Sequence, residues 1–150
     1  QLEVPVETLL HAAESFCGFF CINLAPVRDL PDKLLARADL IIVNEVEANY
    51  NGELLKTLGG LLAITYGSRG AVLYRDGEEV AKAIPPAVTA VDTTGAGDTF
   101  TAALAIALVE GQADAAALTF ACAAAAASTT RHGAQPALPD RAETLELINS

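Results

Sequence analysis

The chain has 150 residues, which suits one domain with a sizeable core, and 52% of them are hydrophobic. Its apolar runs, at 40–43 and 61–64, are far too short to span a bilayer. A net charge of −10, with only nine lysines and arginines, argues against nucleic acid or an anionic membrane as a partner.

The cysteines and histidines do not indicate a disulfide framework or a metal site. Cys17, Cys21 and Cys122 are odd in number and form no CxxC pair, so we expect buried, reduced thiols. His11 and His132 are too far apart in sequence to imply a metal site. The N-terminus lacks the pattern of a signal peptide, and we expect a cytoplasmic protein.

Helical and strand-like segments alternate along the chain. We predict helices over 6–15, 32–38, 53–58, 99–110, 114–130 and 141–149. Buried strands are predicted over 16–24, 39–43 and 61–65, and a hairpin over 71–75 and 78–83 around Asp76-Gly77. Because the first strands are continuously apolar rather than alternating, the pattern indicates a parallel α/β sheet covered on both faces.

The most informative segment is the string Asp92-Thr-Thr-Gly-Ala-Gly-Asp98 before the predicted helix 99–110. Gly95 and Gly97 allow a tight turn at a helix start, where free N–H groups and the positive end of the dipole attract an anion. Asp98 would repel a phosphate unless it accepted a proton from a hydroxyl attacking phosphorus. The alternative is that Asp98 only caps the helix, and the four residues alone leave both interpretations open.

Two other nucleotide-binding classes do not fit this string. A dinucleotide oxidoreductase predicts G-x-G-x-x-G directly after the first strand, whereas Gly95-Ala96-Gly97 lies late in the chain and precedes Asp98-Thr99-Phe100. A Walker-type P-loop requires G-K-[ST], which the chain lacks.

The residues from Asp92 to Phe100 resemble, without a mismatch, the C-terminal signature D-T-T-G-A-G-D-x-F of the ribokinase-like (PfkB-type) carbohydrate kinases. Further blocks follow in the order of that family, at 1–5, 23–26, 44–47, 65–70 and 131–136. The resemblance therefore runs almost the whole length and is strongest to the ribokinases. It implies an α/β, parallel-sheet, three-layer ribokinase-like fold, of which this chain is the C-terminal nucleotide-binding part.

The resemblance also implies that residues 1–150 are the C-terminal portion of a longer kinase domain, or a processed or split product. The chain contains no Met, and it opens inside a block that the family carries near its middle. We expect the N-terminal half, with the glycine-rich sugar-binding segment and the lid, to be absent. The connection between Asn44 and Thr65 is also shorter than in the family.

By this resemblance the chain carries out ATP-dependent phosphoryl transfer to a sugar hydroxyl, with ribose as the expected sugar. Asp98 is the general base beside the sugar, and the amides of Gly95, Ala96 and Gly97 form the anion hole. Glu3 matches the glutamate that reaches the sugar hydroxyls.

The family also binds ATP with Mg²⁺. Asn44 and Glu47 match its N-x-x-E motif, which organises magnesium, water and phosphate, although the same residues alone are an ordinary helix start. The remaining implied nucleotide contacts are Thr65, Gly67 and Gly70 of T-x-G-x-x-G, and Cys122, where ribokinases often place a histidine against adenine.

A monovalent cation, K⁺, is expected beside the anion hole. Ala137 stands where some relatives offer a hydroxyl ligand. The ligands that the resemblance implies are Asp92, Thr94 and the backbone carbonyls of Ser128, Arg131 and Gly133.

The expected partners are therefore a small sugar and ATP, with no nucleic acid and no membrane, and a homodimer in the full-length protein. Two alternatives stay open. One is a nucleotide- or anion-binding fragment without turnover, or an inactive remnant. The other is a kinase of the same family acting on another sugar or on a nucleoside.

Overall fold

The computed structural model of the chain describes residues 2–52, 55 and 59–150. These residues form two units. The first contains the described residues up to Tyr66 together with Val72–Val80, and the second contains Gly67–Ala71 and Ala81–Ser150.

The first unit is built on the parallel part of a five-stranded sheet in the order β1-β2-β3-β4-β5. Strand β1 pairs in parallel with β2, and β2 with β3. Strands β4 and β5 form a hairpin that continues into the second unit. The elements of this region are α1 (Val6–Ser15), β1 (Cys21–Asn23), α2 (Asp32–Arg37), β2 (Leu40–Asn44), α3 (Glu45–Asn51), β3 (Leu61–Thr65), β4 (Ala71–Arg75) and β5 (Glu78–Ala83).

The core of the first unit explains why β2 is central. Its first four residues are all buried, as expected for a strand with a neighbour on each side and both faces covered. Side chains from β1, α2 and β3 pack into the same apolar cluster. Its members include Ile22, Leu24, Leu34, Leu35, Ile41, Val43 and Leu62.

The second unit is helical and rich in alanine. Its helices are α4 (Ala96–Val109), α5 (Asp114–Ser128) and α6 (Arg141–Ile148), and α5 packs against both α4 and α6. The small side chains of α5 allow this close packing, and ten of its fifteen residues are buried. Gly111, with φ of 81°, follows the end of α4.

Most predicted elements are confirmed within one or two residues, but the strand predicted over 16–24 is wrong. Only Cys21–Asn23 is a strand. One nitrogen of the Arg37 guanidinium donates hydrogen bonds to the carbonyl oxygens of Phe16 at 2.8 Å and Gly18 at 3.0 Å. These carbonyl groups are hydrogen-bonded to a side chain of α2 rather than to a neighbouring strand. The apolar segment 16–20 is accordingly a loop that precedes β1.

Three other predictions need correction or lie outside the description. The helix predicted over 99–110 begins three residues earlier, at Ala96, because Gly95 rather than Asp98 is its N-cap. The helix predicted over 53–58 falls, apart from the buried Leu55, outside the described residues. Cys122 is buried as expected, but Cys17 is exposed and Cys21 only partly buried.

Among the described residues, no helix is long and apolar enough to cross a membrane.

Candidate functional site

The start of helix α4 is made by a glycine that no other residue could replace easily. Gly95 is the N-cap and has φ of 78°, in the left-handed region that glycine favours. A Cβ on Gly95 would also lie 2.9 Å from the Cβ of Ala134, which is too close. The turn at Gly95 is therefore set both by its own backbone and by the approach of the segment around Ala134.

Asp98 lies in the first turn of α4 and does not cap the helix. It occupies the third helical position, two residues after Ala96, and its side chain is exposed. In the described part of the chain its carboxylate has no hydrogen-bond partner. The capping interpretation that the sequence left open is therefore wrong, and the carboxylate is available for other chemistry.

The backbone N–H groups at this helix start are only partly used. The amide of Ala96 donates to the carbonyl oxygen of Thr93 at 3.2 Å, which closes a turn. Those of Gly95, Gly97 and Asp98 have no acceptor within the described residues. A place for Ala96 in the anion hole thus requires this bond to open, whereas the other N–H groups are free to bind an anion.

Asp92 joins this helix start to the turn after α5. Its Oδ1 accepts from the amide of Thr94, and its Oδ2 accepts from the amide of Gly133, each at 2.9 Å. The Gly133 amide and then the Thr94 hydrogen bonds lower the pKa of Asp92 to about 2. Asp92 is therefore an ionised side chain that holds two predicted cation ligands beside each other.

The three backbone carbonyls predicted to bind a monovalent cation lie at the end of α5 and in the turn after it. Ser128 is the last residue of that helix and is buried, whereas Arg131 is exposed and Gly133 is partly buried. Among the residues that the structure describes, nothing donates to these carbonyl oxygens. Ala137, the position at which the resemblance implies a hydroxyl ligand in some relatives, is buried in a 3₁₀ turn. The unused oxygen atoms suit a cation that prefers carbonyl ligands.

The predicted magnesium motif lies at the carboxyl end of β2, in the first unit. Asn44 is the last residue of β2 and the direct pairing partner of Thr65, the last residue of β3. The side chain of Asn44 accepts from the amide of Glu47 at 2.9 Å, and Glu47 Oε2 accepts from the amide of Asn44 at 2.7 Å. These bonds form a capping box, so both residues stabilise the start of α3.

Glu47 is unusual for a capping carboxylate because its side chain is almost fully buried. The residue is only 4% exposed, and its other carboxylate oxygen, Oε1, accepts from the side-chain nitrogen Nδ2 of Asn44 at 2.9 Å. Thr65 is partly buried, and its hydroxyl donates to the carbonyl oxygen of Val43 at 3.4 Å. The structure thus brings Asn44, Glu47 and Thr65 to one edge of the sheet, where α/β folds bind ligands.

The two glycines predicted to contact ATP differ in their surroundings. Gly67 has φ of 59°, is exposed, and has open space where a Cβ would point. Gly70 is buried, and a Cβ there would overlap the carbonyl oxygen of Ala83. Close packing against β5 is therefore reason enough for a glycine at 70, whereas Gly67 is open to a ligand.

Cys122 lies inside the second unit. It is 4% exposed, and its Sγ lies 3.9 Å from the carbonyl oxygen of Ala83. Burial raises the pKa of the Cys122 thiol to about 11, so the thiol stays protonated at neutral pH. A direct contact of this side chain with adenine stays a prediction that its burial does not favour.

Glu3 is an exposed residue in the turn before α1. The amide of Leu2 donates to the carbonyl oxygen of Ala25 at 2.9 Å, and the guanidinium of Arg28 donates to the carbonyl oxygen of Leu2 at 2.7 Å. Arg28 is not among the residues that the sequence singled out. Its signal was weak, because an arginine in a loop is ordinary unless its backbone partners are known.

The predicted residues thus form two groups, one in each unit. The first unit holds Glu3, Asn44, Glu47 and Thr65, and the second holds the others, Gly67, Gly70, Asp92, Thr94, Gly95, Ala96, Gly97, Asp98, Cys122, Ser128, Arg131 and Gly133. In the described ranges, no cluster of three or more histidine, cysteine, aspartate or glutamate side chains could hold a metal ion.

Comparison with known proteins gives one family. The family described as pfkB family carbohydrate kinase matches residues 4–141. The ribokinase of Bacillus subtilis (strain 168) is 38% identical, with 99% of this chain and 54% of that protein covered. The ribokinase of Arabidopsis thaliana is 37% identical over 79% of this chain and 36% of that protein. The chain thus spans about half, or less, of the length of these relatives.

Solved structures give the same fold. The structure of Arabidopsis thaliana ribokinase complexed with ribose and ATP has a TM-score of 0.87 and 31% identity. It is matched over 99% of this chain and 54% of its own length. Thermotoga maritima ribokinase has a TM-score of 0.85 and 31% identity, with 99% of this chain and 55% of that chain covered. The expected α/β ribokinase-like fold is therefore confirmed.

Proposed function

Because the chain belongs to the pfkB family of carbohydrate kinases, we propose that it forms the nucleotide-binding part of a kinase that transfers a phosphoryl group from ATP to ribose. The Arabidopsis thaliana relative binds ribose and ATP, and the Bacillus subtilis relative is a ribokinase. These relatives are about twice as long as the chain, which supports a function completed by a further segment with sugar contacts and a lid.

The observation that carries the proposal is the open start of helix α4. Three amides there have no acceptor within the described residues, and an unpaired carboxylate, Asp98, lies in the same turn. Phosphoryl transfer needs donors for the charge on the transferred group and a base for the attacking hydroxyl. The N-cap and first turn of helix α4 offer both.

In the proposed reaction Asp98 accepts the proton of a sugar hydroxyl. The hydroxyl oxygen forms a bond to the γ-phosphorus of ATP while the bond from that phosphorus to the oxygen of the leaving ADP breaks. The amides of Gly95 and Gly97, and that of Ala96 once its bond to Thr93 opens, stabilise the charge on the phosphoryl oxygens. Asp98 supplies only proton transfer, and the amides supply only charge stabilisation.

Magnesium fits the chemistry of the Asn44 and Glu47 pair. Mg²⁺ prefers carboxylate and water oxygens, and when bound it would neutralise phosphate charge. Both carboxylate oxygens of Glu47 accept hydrogen bonds from Asn44, and a carboxylate is a good acceptor for a metal-bound water. Glu47 would thus orient such water while Asn44 holds the carboxylate in place.

Potassium is the proposed monovalent cation, with Asp92, Thr94 and the carbonyls of Ser128, Arg131 and Gly133 as its ligands. Those carbonyl oxygens have no donor among the described residues, and Asp92 is ionised. By ordering the two loops that Asp92 joins, potassium should raise the rate of the full-length enzyme. Equal rates in potassium buffer and in buffer free of both sodium and potassium would contradict this proposal.

The deciding experiment is to measure ADP formation with and without D-ribose, for this chain alone and for the full-length kinase. We expect ribose-dependent ADP and ribose phosphate from the full-length protein, with weak Mg-ATP binding and little turnover from the chain alone. Binding of ATP without phosphorylation of any sugar or nucleoside by the full-length protein would instead favour a nucleotide-binding function. Phosphorylation of a different sugar would keep the reaction and change the substrate.

A further inference from the structure

The segment that carries Glu3 is short and precedes the first helix. Glu3 is exposed, and residues 2–5 form no regular helix or strand. Such a segment is mobile unless other groups hold its backbone. A carboxylate that must meet a sugar hydroxyl within hydrogen-bond distance needs that backbone fixed.

Arg28 holds this backbone on both sides of Glu3. One guanidinium nitrogen, Nη1, donates to the carbonyl oxygen of Leu2 at 2.7 Å and, at the longer distance of 3.4 Å, to that of Val4. Leu2 is itself anchored, because its side chain is 2% exposed and its amide donates to the carbonyl oxygen of Ala25. The residues before and after Glu3 are thus tied to the loop that follows β1.

The guanidinium of Arg28 binds only the backbone of the Glu3 segment within the described residues. Within the described ranges it forms no ion pair with a carboxylate, and its hydrogen bonds all go to these two carbonyl oxygens. The neighbouring Asp29 accepts a hydrogen bond from the hydroxyl of Tyr50 on α3 at 2.8 Å. The loop is therefore connected at one end to the Glu3 segment and at the other to the helix that Asn44 and Glu47 begin.

We infer that Arg28 is a positioning residue for the sugar site, which acts by fixing the backbone on both sides of Glu3. The inference rests on the proposed function, because Glu3 is the predicted sugar contact. Arg28 itself does not touch the reacting atoms. Its loss should therefore weaken ribose binding and leave the ATP site and the chemical step unchanged.

Arg28→Gln is the informative variant, because glutamine removes the charged fork and keeps a polar side chain. In the full-length protein we expect the KM for ribose to rise about tenfold, with kcat and the KM for ATP within about twofold of the wild type. The Kd for ribose, from calorimetry without ATP, should rise by a similar factor. An unchanged KM and Kd for ribose would overturn the inference.

Arg37→Gln is the matched control in the same unit. Arg37 also donates to two backbone carbonyls, those of Phe16 and Gly18, but it does so at the amino end of β1, whereas Arg28 acts beyond its carboxyl end. Its loss should lower thermal stability without changing the KM for ribose. If both variants raised this KM equally, the effect would be general loosening and the inference would be wrong.

A double-mutant cycle with Glu3→Gln tests whether Arg28 acts through Glu3. If it does, Arg28→Gln should change the ribose KM by less than about twofold in the Glu3→Gln background, because the contact that it positions is already lost. Fully additive effects would overturn the inference. A protein that binds ribose but does not phosphorylate it would contradict the proposed reaction instead, and the ribose Kd values would then decide the role of Arg28.

Discussion

The starts of helices α3 and α4 solve the same problem in opposite ways. Every helix begins with N–H groups that have no partner inside the helix. At α3, Asn44 and Glu47 form a capping box and use their own side chains to satisfy the backbone. At α4 the N-cap is Gly95, no side chain caps the helix, and several amides have no acceptor among the described residues.

The comparison separates stability from binding. A helix start whose N–H groups are capped by side chains stabilises the fold but leaves few free N–H donors for a ligand. An uncapped start lacks that stabilisation, and its N–H groups stay free to bind an anion. A first-turn carboxylate has a favourable interaction with the helix dipole in both cases. Only at α4 does it also have no hydrogen-bond partner in the described part of the chain, which is why Asp98 is the proposed base.

The largest expected effect is that of Asp98→Asn on turnover. Loss of the base should lower kcat of the full-length enzyme by roughly a hundredfold or more, because general base catalysis contributes on that scale. The KM for ATP should change little, since the amides and the helix start remain. Stability should fall by no more than about 1 kcal/mol, the value of a first-turn charge. Steady-state kinetics and urea unfolding measure the two effects.

Asp114→Asn is the control for this substitution. It removes the same charge from the first turn of α5, in the same unit and outside the proposed site. Its kcat should stay near that of the wild type. Near-normal turnover of the Asp98 variant would reject the base assignment, and an equal loss in the Asp114 variant would attribute the effect to net charge.

Gly95→Ala tests whether the open start depends on the turn at Gly95. Alanine would have to adopt φ of 78° and place its Cβ 2.9 Å from that of Ala134, so we expect a loss of about 2–3 kcal/mol in stability. Gly97→Ala is the matched substitution, because Gly97 has open space around its Cβ position. It should leave stability unchanged or slightly raised. Similar stability losses in both variants would contradict this account.

Much of the fold could be predicted from the sequence because its signals are local. The apolar run of β2 and the turn residues Asp76-Gly77 each act over a few positions, and both predictions are confirmed. The loop at 16–20 could not be predicted, because Arg37 takes its carbonyl groups from 19 or more residues away. The sequence pattern there was apolar enough for a strand.

In the candidate site, too, features with a local sequence signal could be predicted, and features that depend on distant contacts could not. The string from Asp92 to Asp98 indicated a helix start with free N–H groups, and a helix does begin there, at Ala96, with amides that have no acceptor among the described residues. The predicted helix start, at Thr99, was too late, because neither the left-handed backbone of Gly95 nor its close approach to Ala134 follows from a local sequence pattern. The hydrogen bonds from Arg28 to the carbonyl oxygens of Leu2 and Val4 also join residues distant in sequence, so no local sequence pattern indicates them.

Asn44→Ala tests the closed helix start. It removes the cap of α3 and the amide donor to the nearly buried Glu47, so stability should fall by about 1–2 kcal/mol. Asp140→Ala is the matched control, because it removes the cap from an equivalent box at α6 whose glutamate is exposed. We expect a smaller loss there, of about 1 kcal/mol. Equal losses, from urea midpoints, would show that the burial of Glu47 adds nothing.

The smallest expected effect is the pH dependence of stability that Asp92 provides. The Gly133 and Thr94 hydrogen bonds lower its pKa from 3.8 to about 2, so the folded state favours the ionised form. This stabilisation is complete above about pH 4 and is lost as the pH falls through about 2, because the unfolded chain takes up the proton first. Asn cannot reproduce both acceptors. Asp92→Asn should therefore be less stable than the wild type at pH 6. In urea unfolding, the difference in the free energy of unfolding between the two proteins should decrease towards pH 2.5. A difference in unfolding free energy that stays constant with pH would mean that the Asp92 charge does not hold the two loops together.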